Sequence, residues 1–417
     1  MSTFRTSAGL SQSGFTWRDL LAKSALLFFG IALWHKGLSF YGYYLLPLAW
    51  ILDGGLGRFR QIMNEPLVVA LLVLCFVLAL GILWSESPKL GFKVWRRYFA
   101  FLVFIPYLSL LNKERLLWAI GGLLTGYFGA LIMGVYQWKI LGVQGIPPLG
   151  MPYLHFSSML GIGVLLALYL SSKSENRKTQ SFLWLLVVSL LFIQLNQNAR
   201  GILIATLLSS TLLLLLLHKK EIRTLLAVMV SLAIVIGVFG YNSTSFHERL
   251  AQAERDLEMS KLGRYDTSLG YRLALWDIGI HGIAERPFLG HGTGMAAAYF
   301  DKNIETYKGG LYKELQGFSP TYHYHNDWIE IGMHIGLLGF LAYAFLLWGW
   351  FQTFKAHRLA ILGAALICFI FLSGLTDNLV FFRQTFYLLL VITAIGISWH
   401  KAHKTVIRQT ETCRTAA

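Results

Sequence analysis

Charged side chains are scarce in this sequence of 417 residues. Aspartate, glutamate, lysine and arginine together make up 14% of it, about half the share found in a typical soluble domain. Hydrophobic residues reach 55%, and the mean hydropathy is +0.55. This composition excludes an ordinary soluble globule and predicts a protein that lies mainly in a lipid bilayer. The apolar runs are continuous and do not alternate, which excludes a membrane β-barrel.

Cysteine is rare, and several common catalytic motifs are missing. Cys75 and Cys368 lie in apolar segments and Cys413 lies in the polar tail, so we expect no disulfide framework. The sequence has no G-x-x-x-x-G-K-[ST] loop, no D-x-D pair and no G-x-S-x-G elbow. These absences argue against an ATP-driven pump, a transferase that holds a metal-bound nucleotide sugar, and a serine hydrolase.

The hydropathy pattern predicts an all-α polytopic membrane protein with twelve transmembrane helices, each of about 20 largely apolar residues. The predicted spans are residues 21–35, 38–54, 66–84, 98–111, 116–137, 152–172, 181–197, 200–218, 223–242, 331–354, 358–376 and 383–399. The seventh and eighth are separated only by residues 196–201, which predicts a tight helical hairpin. The first 16 residues are polar and no small-residue cleavage site follows the first span, so we expect no cleaved signal peptide.

The placement of lysine and arginine predicts the orientation. The formal charge is +15, but the basic residues cluster at the ends of apolar segments and form no single patch for nucleic acid. Their excess on one set of short loops places both termini in the cytoplasm. The basic cluster Lys89–Arg97 is an exception on the outer side, either a misplaced topology signal or a surface for an anionic partner. The predicted divisions are helices one to nine (1–242), a long periplasmic loop (243–323), helices ten to twelve (324–400) and a cytoplasmic tail (401–417).

The long loop is predicted to contain two amphipathic helices. The apolar stripe of the first is Phe246, Leu250, Ala253 and Leu257. The second begins near Asp266 and Thr267, which are both good N-caps, and ends at Pro287. Its apolar stripe is Leu269, Leu273, Trp276, Ile280 and Ile283. A glycine-rich turn follows at residues 290–294, and such a loop could roof a cavity between the spans.

Two arginines are candidate site residues. Arg200 lies in the predicted hairpin, where a guanidinium is costly unless it reaches the lipid headgroups or finds an anion. Its planar fork of five donors suits a phosphate better than a lysine does, and the neighbouring amides of residues 196–198 add polar groups. Arg272 lies four residues before Trp276 on the same helical face. It is either a surface arginine of an amphipathic helix or a second site residue.

A histidine pair precedes the tenth predicted span. A histidine can accept a proton near neutral pH, although one at an interface commonly has a structural role. His323 and His325 are two residues apart, so in an extended segment we expect them to point to opposite sides. Further ligands at suitable spacing are not evident, so we predict no metal. Asp377, after the eleventh span, either orients a nearby arginine or histidine or caps its helix. All these residues fall on the predicted outer face, where nucleotide sugars are not available, so the donor expected there is a lipid pyrophosphate sugar.

The order of these features resembles the O-antigen ligase family. The residues that carry the resemblance are Ala199-Arg200-Gly201, Arg272-x-x-x-Trp276, Pro287-Phe288-Leu289-Gly290-x-Gly292-x-Gly294, His323-x-His325-Asn326 and Gly336-x-x-Gly339. The resemblance implies a GT-C-like glycosyltransferase at the periplasmic face of the bacterial inner membrane. It would transfer O-antigen from undecaprenyl pyrophosphate to a sugar hydroxyl of lipid A–core, in lipopolysaccharide biosynthesis, without a cofactor or a metal and with inversion at the anomeric carbon.

The resemblance also implies roles for individual residues. Arg200 and Arg272 would hold the pyrophosphate, and His325 would take the proton from the acceptor hydroxyl. The supporting residues would be His323, Asn326, Trp276 and Asp377. O-antigen polymerases and bacterial protein O-oligosaccharyltransferases belong to the same superfamily and stay as alternatives, because none of these residues reads the acceptor. A twelve-span secondary transporter is the less favoured alternative, since the sequence shows no two similar halves.

Overall fold

The computed structural model describes residues 17–142, 148–197, 199–219, 244–315 and 323–415, with isolated positions between 220 and 243. The predicted ninth span, 223–242, therefore lies largely outside the described residues, as does Asn198. Six described helices are long and apolar enough to cross a membrane. A seventh span is possible if the pair Gly55–Ile62 and Pro66–Leu80, bent by 96°, counts as one. The all-α membrane class is thus confirmed for the described residues, with fewer candidate spans than the twelve predicted.

The helices are numbered here in chain order over the described residues. Those before residue 220 are α1 (Trp17–Ala32), α2 (Lys36–Leu52), α3 (Gly55–Ile62), α4 (Pro66–Leu80), α5 (Pro88–Phe99), α6 (Phe104–Leu110), α7 (Leu116–Lys139), α8 (Tyr153–Lys173), α9 (Arg177–Leu195) and α10 (Arg200–Leu217). Those after it are α11 (Thr244–Lys261), α12 (Ser268–Glu285), α13 (Ala296–Asn303), α14 (Asp327–Ala356), α15 (Ala360–Thr376) and α16 (Arg383–Thr415).

The predicted fourth span, 98–111, is not a single helix. The amphipathic helix α5 ends at Phe99, a 3₁₀ segment covers Ala100–Val103, and the short helix α6 follows. The prediction failed because the apolar run at 98–111 is continuous in sequence while its backbone changes helix type within it. Most core residues of this stretch lie in α6 and the 3₁₀ segment, and α5 adds Tyr98.

The bundle has two chemically different ends. The helices of the predicted loop, α11 to α13, lie at one end, which we call the loop end. Ser39, near the start of α2, also lies there, because its hydroxyl accepts a 3.2 Å hydrogen bond from Gln384 at the start of α16. Helix α2 then runs about 25 Å to Asp53 at the opposite end, where Asp53 contacts Arg115 before α7.

Helix α14 is broken near its first third, and the glycine-rich turn fills the break. Gly336 has φ of +57°, and a Cβ there would lie 2.6 Å from the carbonyl oxygen of Pro287, so only glycine fits. The N–H groups of His291 and Gly292 donate to the carbonyls of Met333 and His334, at 2.9 Å each. All five residues of the turn are buried. The turn is therefore a packed junction, while the part of the long loop that borders a cavity is α11 and the start of α12.

Both predicted helices of the loop are found. Helix α12 begins after Thr267, whose Oγ1 accepts the N–H of Gly270 at 3.0 Å, as predicted for this N-cap. On α11, the side chains of Phe246 and Leu250 lie outside the described residues. The predicted apolar stripe is wrong at Leu257, which is 48% exposed while Asp256 beside it is buried. The reason is that the polar edge of α11 faces a cavity, described below.

The buried face of α12 is rotated from the predicted one. Its buried residues are Gly270, Tyr271, Ala274, Leu275, Ile278, Gly279 and Gly282, whereas Ile280 of the predicted stripe is 59% exposed. The two glycines lie directly against α14, since a Cβ at Gly279 would be 2.5 Å from the side chain of Ile329. Glycine is only weakly apolar on a hydropathy scale. A stripe chosen by hydropathy therefore misses a helix face that packs closely because its side chains are small.

Candidate active site

A single buried carboxylate joins an arginine to a histidine at the loop end. Asp377, directly after α15, is 1% exposed. Its Oδ2 accepts a hydrogen bond from Nη2 of Arg272 at 3.2 Å, and its Oδ1 lies 3.0 Å from Nδ1 of His325. The side chains of Arg272 and His325 keep 27% and 26% of their exposure. Asp377 therefore contacts an arginine and a histidine, and it is also the C-cap residue of α15.

The two histidines lie side by side, contrary to the prediction that they point to opposite sides. His325 has φ of +49°, in the left-handed region, which histidine adopts more readily than most residues. The chain therefore folds back, and the ring centroids of His323 and His325 are 4.2 Å apart. The N–H of His325 donates to Nδ1 of His323 at 3.2 Å. The prediction assumed an extended segment, and that assumption was wrong.

Tyr324, between the histidines, anchors them to three elements. Its hydroxyl donates to the carbonyl of Ala296 at 3.0 Å, and its N–H donates to Oε2 of Glu330 at 2.9 Å. Its carbonyl accepts a 3.0 Å hydrogen bond from the indole of Trp276. Trp276 therefore contacts the histidine segment through the backbone. Glu330, which is fully buried in α14, was not found from the sequence, where it reads as one of several acidic residues near a helix start.

Asn326 fixes the start of α14 against the end of α15. Its side-chain oxygen accepts the N–H groups of Trp328 and Ile329 at 3.0 and 3.1 Å, which is an N-cap. Its amide nitrogen donates to the carbonyl of Leu375 at 3.1 Å, two residues before Asp377. Asn326 therefore fixes the positions of His325 and Asp377 relative to each other through the backbone.

Asp327 is a second buried carboxylate that the sequence reasoning missed. It is 0% exposed and accepts hydrogen bonds from the hydroxyl of Tyr343 at 2.9 Å and from the N–H of Val380 at 3.2 Å. Val380 lies in the short turn between Asp377 and α16. Asp327 therefore fixes the segment that carries Asp377, and it has no direct contact with the open part of the site.

A cavity of about 380 Å³ opens beside the carboxylate, a volume within the usual range for small-ligand sites. Arg200 and Arg272 both line it, and so does Asp377. Nη2 of Arg200 donates to Oε1 of Gln252 on α11 at 2.8 Å. The other lining residues are Tyr153, Leu154, Ala199, Gly201, Ile202, Gln252, Ala253, Asp256, Ser268, Leu269 and Thr376. Arg200, Arg272 and Asp377 thus line one cavity, whereas His325 contacts Asp377 and is not among the lining residues.

Comparison with known proteins gives the family of this region. Residues 184–344 match the family model described as O-antigen ligase. The segment is an O-antigen ligase family domain. The resemblance seen in the motifs is confirmed, and the match indicates a glycan-transferring membrane enzyme whose substrates are, in general, lipid-linked glycans. A search of curated proteins finds no match to the chain.

The matched segment of the O-antigen ligase family contains both arginines and both histidines of the site. Asp377 lies 33 residues beyond its last residue, 344. The carboxylate that joins Arg272 to His325 therefore comes from outside the matched part of the chain, on the helix pair α15–α16. This separation in sequence explains why spacing alone could not assign a partner to Asp377.

The charges of this candidate site are set by burial and by neighbouring side chains. Burial tends to raise the pKa of Asp377, but the hydrogen bond from His325 and the nearby charges of His325 and Arg272 outweigh it, so this pKa lies below its usual value. Burial, followed by the charge of His325, lowers the pKa of His323 to about 4. At neutral pH the site therefore holds an ionised carboxylate and a neutral His323.

Three side chains of the site offer atoms that could hold a metal ion. The ligand atoms of His323, His325 and Asp377 lie within 4.8 Å of one another. The sequence reasoning found no third ligand because Asp377 is 52 residues from His325. A divalent cation there would replace the hydrogen bond between His325 and Asp377 and share the carboxylate with the Arg272 guanidinium. The same three side chains could thus bind a metal ion or transfer a proton.

Proposed function

We propose that this protein is an O-antigen ligase of lipopolysaccharide biosynthesis. It transfers an O-antigen glycan from undecaprenyl pyrophosphate to a sugar hydroxyl of lipid A–core. The observation that carries the proposal is the contact of Asp377 with both Arg272 and His325, beside a cavity that Arg200 also lines. Such a site combines donors for a pyrophosphate with a group that can accept a proton.

The proposed reaction is a single displacement. The acceptor hydroxyl oxygen attacks the anomeric carbon of the glycan and forms the new glycosidic bond. The bond from that carbon to the pyrophosphate oxygen breaks, and its electron pair leaves with undecaprenyl pyrophosphate. Arg200 and Arg272 stabilise the negative charge that develops on the leaving group. Attack from the opposite side inverts the anomeric configuration, and no cofactor or metal takes part.

The hydroxyl proton goes to Nε2 of His325. Its Nδ1 lies 3.0 Å from the ionised Asp377, which assigns the proton of the neutral ring to Nδ1 and leaves Nε2 as the acceptor. Asp377 holds the ring in that tautomer and stabilises the imidazolium that forms. Because the pKa of Asp377 is depressed, it stays a carboxylate throughout.

The proposed location follows from the apolar helices and the basic residues together. The apolar helices support a membrane protein, and the lysine and arginine bias favours both termini in the cytoplasm. The loop end then faces the periplasm, on the outer side of the bacterial inner membrane. A lipid pyrophosphate donor is available to a site on that face, whereas nucleotide sugars are not.

The test is a reconstitution in liposomes. It contains the purified full-length protein, an undecaprenyl-pyrophosphate glycan and lipid A–core, with EDTA and without nucleotide. We expect transfer by the wild type and a loss of about 10²- to 10⁴-fold in His325→Ala, the usual contribution of a general base. His281→Ala is the matched control, since His281 is a histidine of α12 with 41% exposure, paired with Glu285 away from the cavity.

The products separate the proposal from its alternatives. Longer glycan on the carrier lipid, with none on lipid A–core, would make the protein an O-antigen polymerase. Transfer to a serine or threonine of an added acceptor protein would make it a protein O-oligosaccharyltransferase. No product of any kind would favour a transporter, and loss of transfer in EDTA would contradict the metal-free mechanism. A retained anomeric configuration would contradict the single displacement.

A further inference from the structure

Helix α5 has a basic face that the proposed reaction does not use. Lys89, Lys93, Arg96 and Arg97 lie within about 100° of one another around a helix of 3.6 residues per turn. All four side chains are exposed. In the described part of the chain none of the four is paired with an aspartate or glutamate. Four like charges without carboxylates repel one another, so an anion bound to this face would be stabilised.

Apolar side chains border the basic face. Phe92 and Phe99 are 52% and 41% exposed on one side of it, and Leu90 is 44% exposed on the other. The opposite face of α5 is packed, because Gly91 and Tyr98 are buried. A basic strip between exposed apolar residues is typical of a helix that lies in a lipid headgroup region. The chemistry it fits is a phosphate attached to a lipid.

The position of α5 is fixed by the rest of the fold. The indole of Trp95 donates to the carbonyl of Cys75 on α4 at 2.9 Å. Gly91 lies against the glycine-rich turn, since a Cβ there would be 2.7 Å from the carbonyl oxygen of Thr293. The helix is therefore attached at the loop end, and its basic face is held in place before any ligand binds.

A chain of rings connects α5 to the proposed base. The Arg97 guanidinium lies 4.8 Å from the ring centroid of Phe381. The centroid of Phe381 is 5.7 Å from that of His323, which is 4.2 Å from that of His325. None of the residues that line the cavity with Arg200 and Arg272 belongs to α5. The basic face thus approaches the site from the histidine side, separately from the two arginines assigned to the donor.

We propose that the basic face of α5 binds the phosphate groups of the acceptor glycolipid. It holds that lipid so that its sugar hydroxyl reaches His325, while Arg200 and Arg272 hold the donor. The acceptor is favoured over other anionic lipids because the face is joined to the histidines and because two lipid substrates need two separate anion sites. This assignment rests on the proposed function.

The first test measures binding without turnover. The full-length protein in detergent is titrated with bisphosphorylated lipid A, with the same lipid after removal of its phosphates, and with phosphatidylglycerol. We expect Lys93→Gln/Arg96→Gln to weaken binding of the phosphorylated lipid by about ten- to thirtyfold, and to leave the dephosphorylated lipid unchanged. Lys302→Gln/Lys313→Gln, which removes two exposed lysines of the same loop end, should bind as the wild type does.

The second test uses the reconstituted reaction. The α5 double variant should raise KM for the phosphorylated acceptor by a similar factor, with kcat and the donor KM little changed. Unchanged binding of lipid A by the variant would overturn the assignment, and so would an equal loss of phosphatidylglycerol binding, which would mean a general headgroup contact. Loss of lipid A binding in a protein that transfers no glycan would contradict the proposed function and leave the basic face as an anion site.

Discussion

Among the arginines that contact aspartates, Arg115 and Arg272 do so in opposite ways. Arg115, at the end of the bundle away from the loop, has 8% side-chain exposure. It donates to Oδ1 of Asp19 and to both carboxylate oxygens of Asp53, at 2.8 Å each. Arg272, at the loop end, has 27% exposure and makes one contact with Asp377, at 3.2 Å.

The difference separates a structural cluster from a candidate functional one. The guanidinium of Arg115 has its donors occupied by two carboxylates and by the Leu110 carbonyl, so it has little capacity left for a ligand. Arg272 keeps donors that face a cavity. Its carboxylate partner also contacts His325, so one ionised group serves both a candidate anion site and a candidate base. A buried arginine is thus not by itself a sign of function; unused donors beside a cavity are.

The largest effect on stability is expected at the cluster of Arg115 with Asp19 and Asp53. Arg115→Ala leaves Asp19 and Asp53 without their shared guanidinium, and removing one partner of a buried ion pair costs about 3–5 kcal/mol. We expect a large fall in the thermal unfolding temperature of the purified protein. Arg272→Ala should lower it much less. Similar falls for both variants would remove the distinction between the two clusters.

At the cluster of Arg272, Asp377 and His325, we expect a conservative substitution to have a moderate effect on activity. Arg272→Lys keeps the charge but loses the planar fork that can contact a pyrophosphate and Asp377 at once. Transfer in the reconstituted system should fall by about ten- to a hundredfold, with an unfolding temperature near that of the wild type. Arg264→Lys is the control, because Arg264 is 60% exposed and pairs with Asp266 on the surface. Full activity of Arg272→Lys would mean that its charge alone matters.

The smallest effect concerns acid stability at His323. A histidine in the unfolded chain titrates near pH 6.5, whereas the pKa of His323 in the folded protein is lowered to about 4. Between these values the unfolded chain binds the extra proton, so the free energy of unfolding falls as the pH drops from about 6.5 to about 4. His323→Gln removes this contribution. Its unfolding temperature should therefore fall less with acid across that range than that of the wild type.

The control for the acid series is His281→Gln, at an exposed histidine of α12. Its unfolding temperature should follow the wild-type pH dependence. Parallel curves for the wild type and His323→Gln would show that His323 is not buried in its neutral form.

Hydropathy and capping were enough to predict much of the fold. Helices α8, α9, α10 and α16 lie where apolar runs predicted them, and Thr267 begins α12 as its N-cap. These features depend on residues close in sequence. The buried faces of α11 and α12 depend on what packs against them. The buried face of α12 contains glycines such as Gly279, which a stripe of apolar side chains does not include.

The sequence pointed to residues of the candidate site but not to their geometry. Arg200, Arg272, His325 and Asp377 were all candidates, yet the sequence left the partner of Asp377 open. That partnership forms across 105 residues to Arg272 and 52 to His325. The side-by-side histidines depend on one left-handed residue, which spacing rules do not contain. Glu330 and other residues that fix the backbone were missed because their burial distinguishes them from other polar residues, and the sequence around them does not reveal that burial.

The most direct test of the account compares two aspartates that each contact an arginine. Asp377→Asn and Asp53→Asn remove one carboxylate charge apiece with little change in shape. We predict that Asp377→Asn lowers transfer per folded molecule by about 10²- to 10⁴-fold, because His325 loses the charge that stabilises its protonated form. Asp53→Asn should lower the unfolding temperature and leave transfer per folded molecule close to that of the wild type. An Asp377→Asn protein with wild-type transfer, or an Asp53→Asn protein equally inactive once folded, would contradict the account.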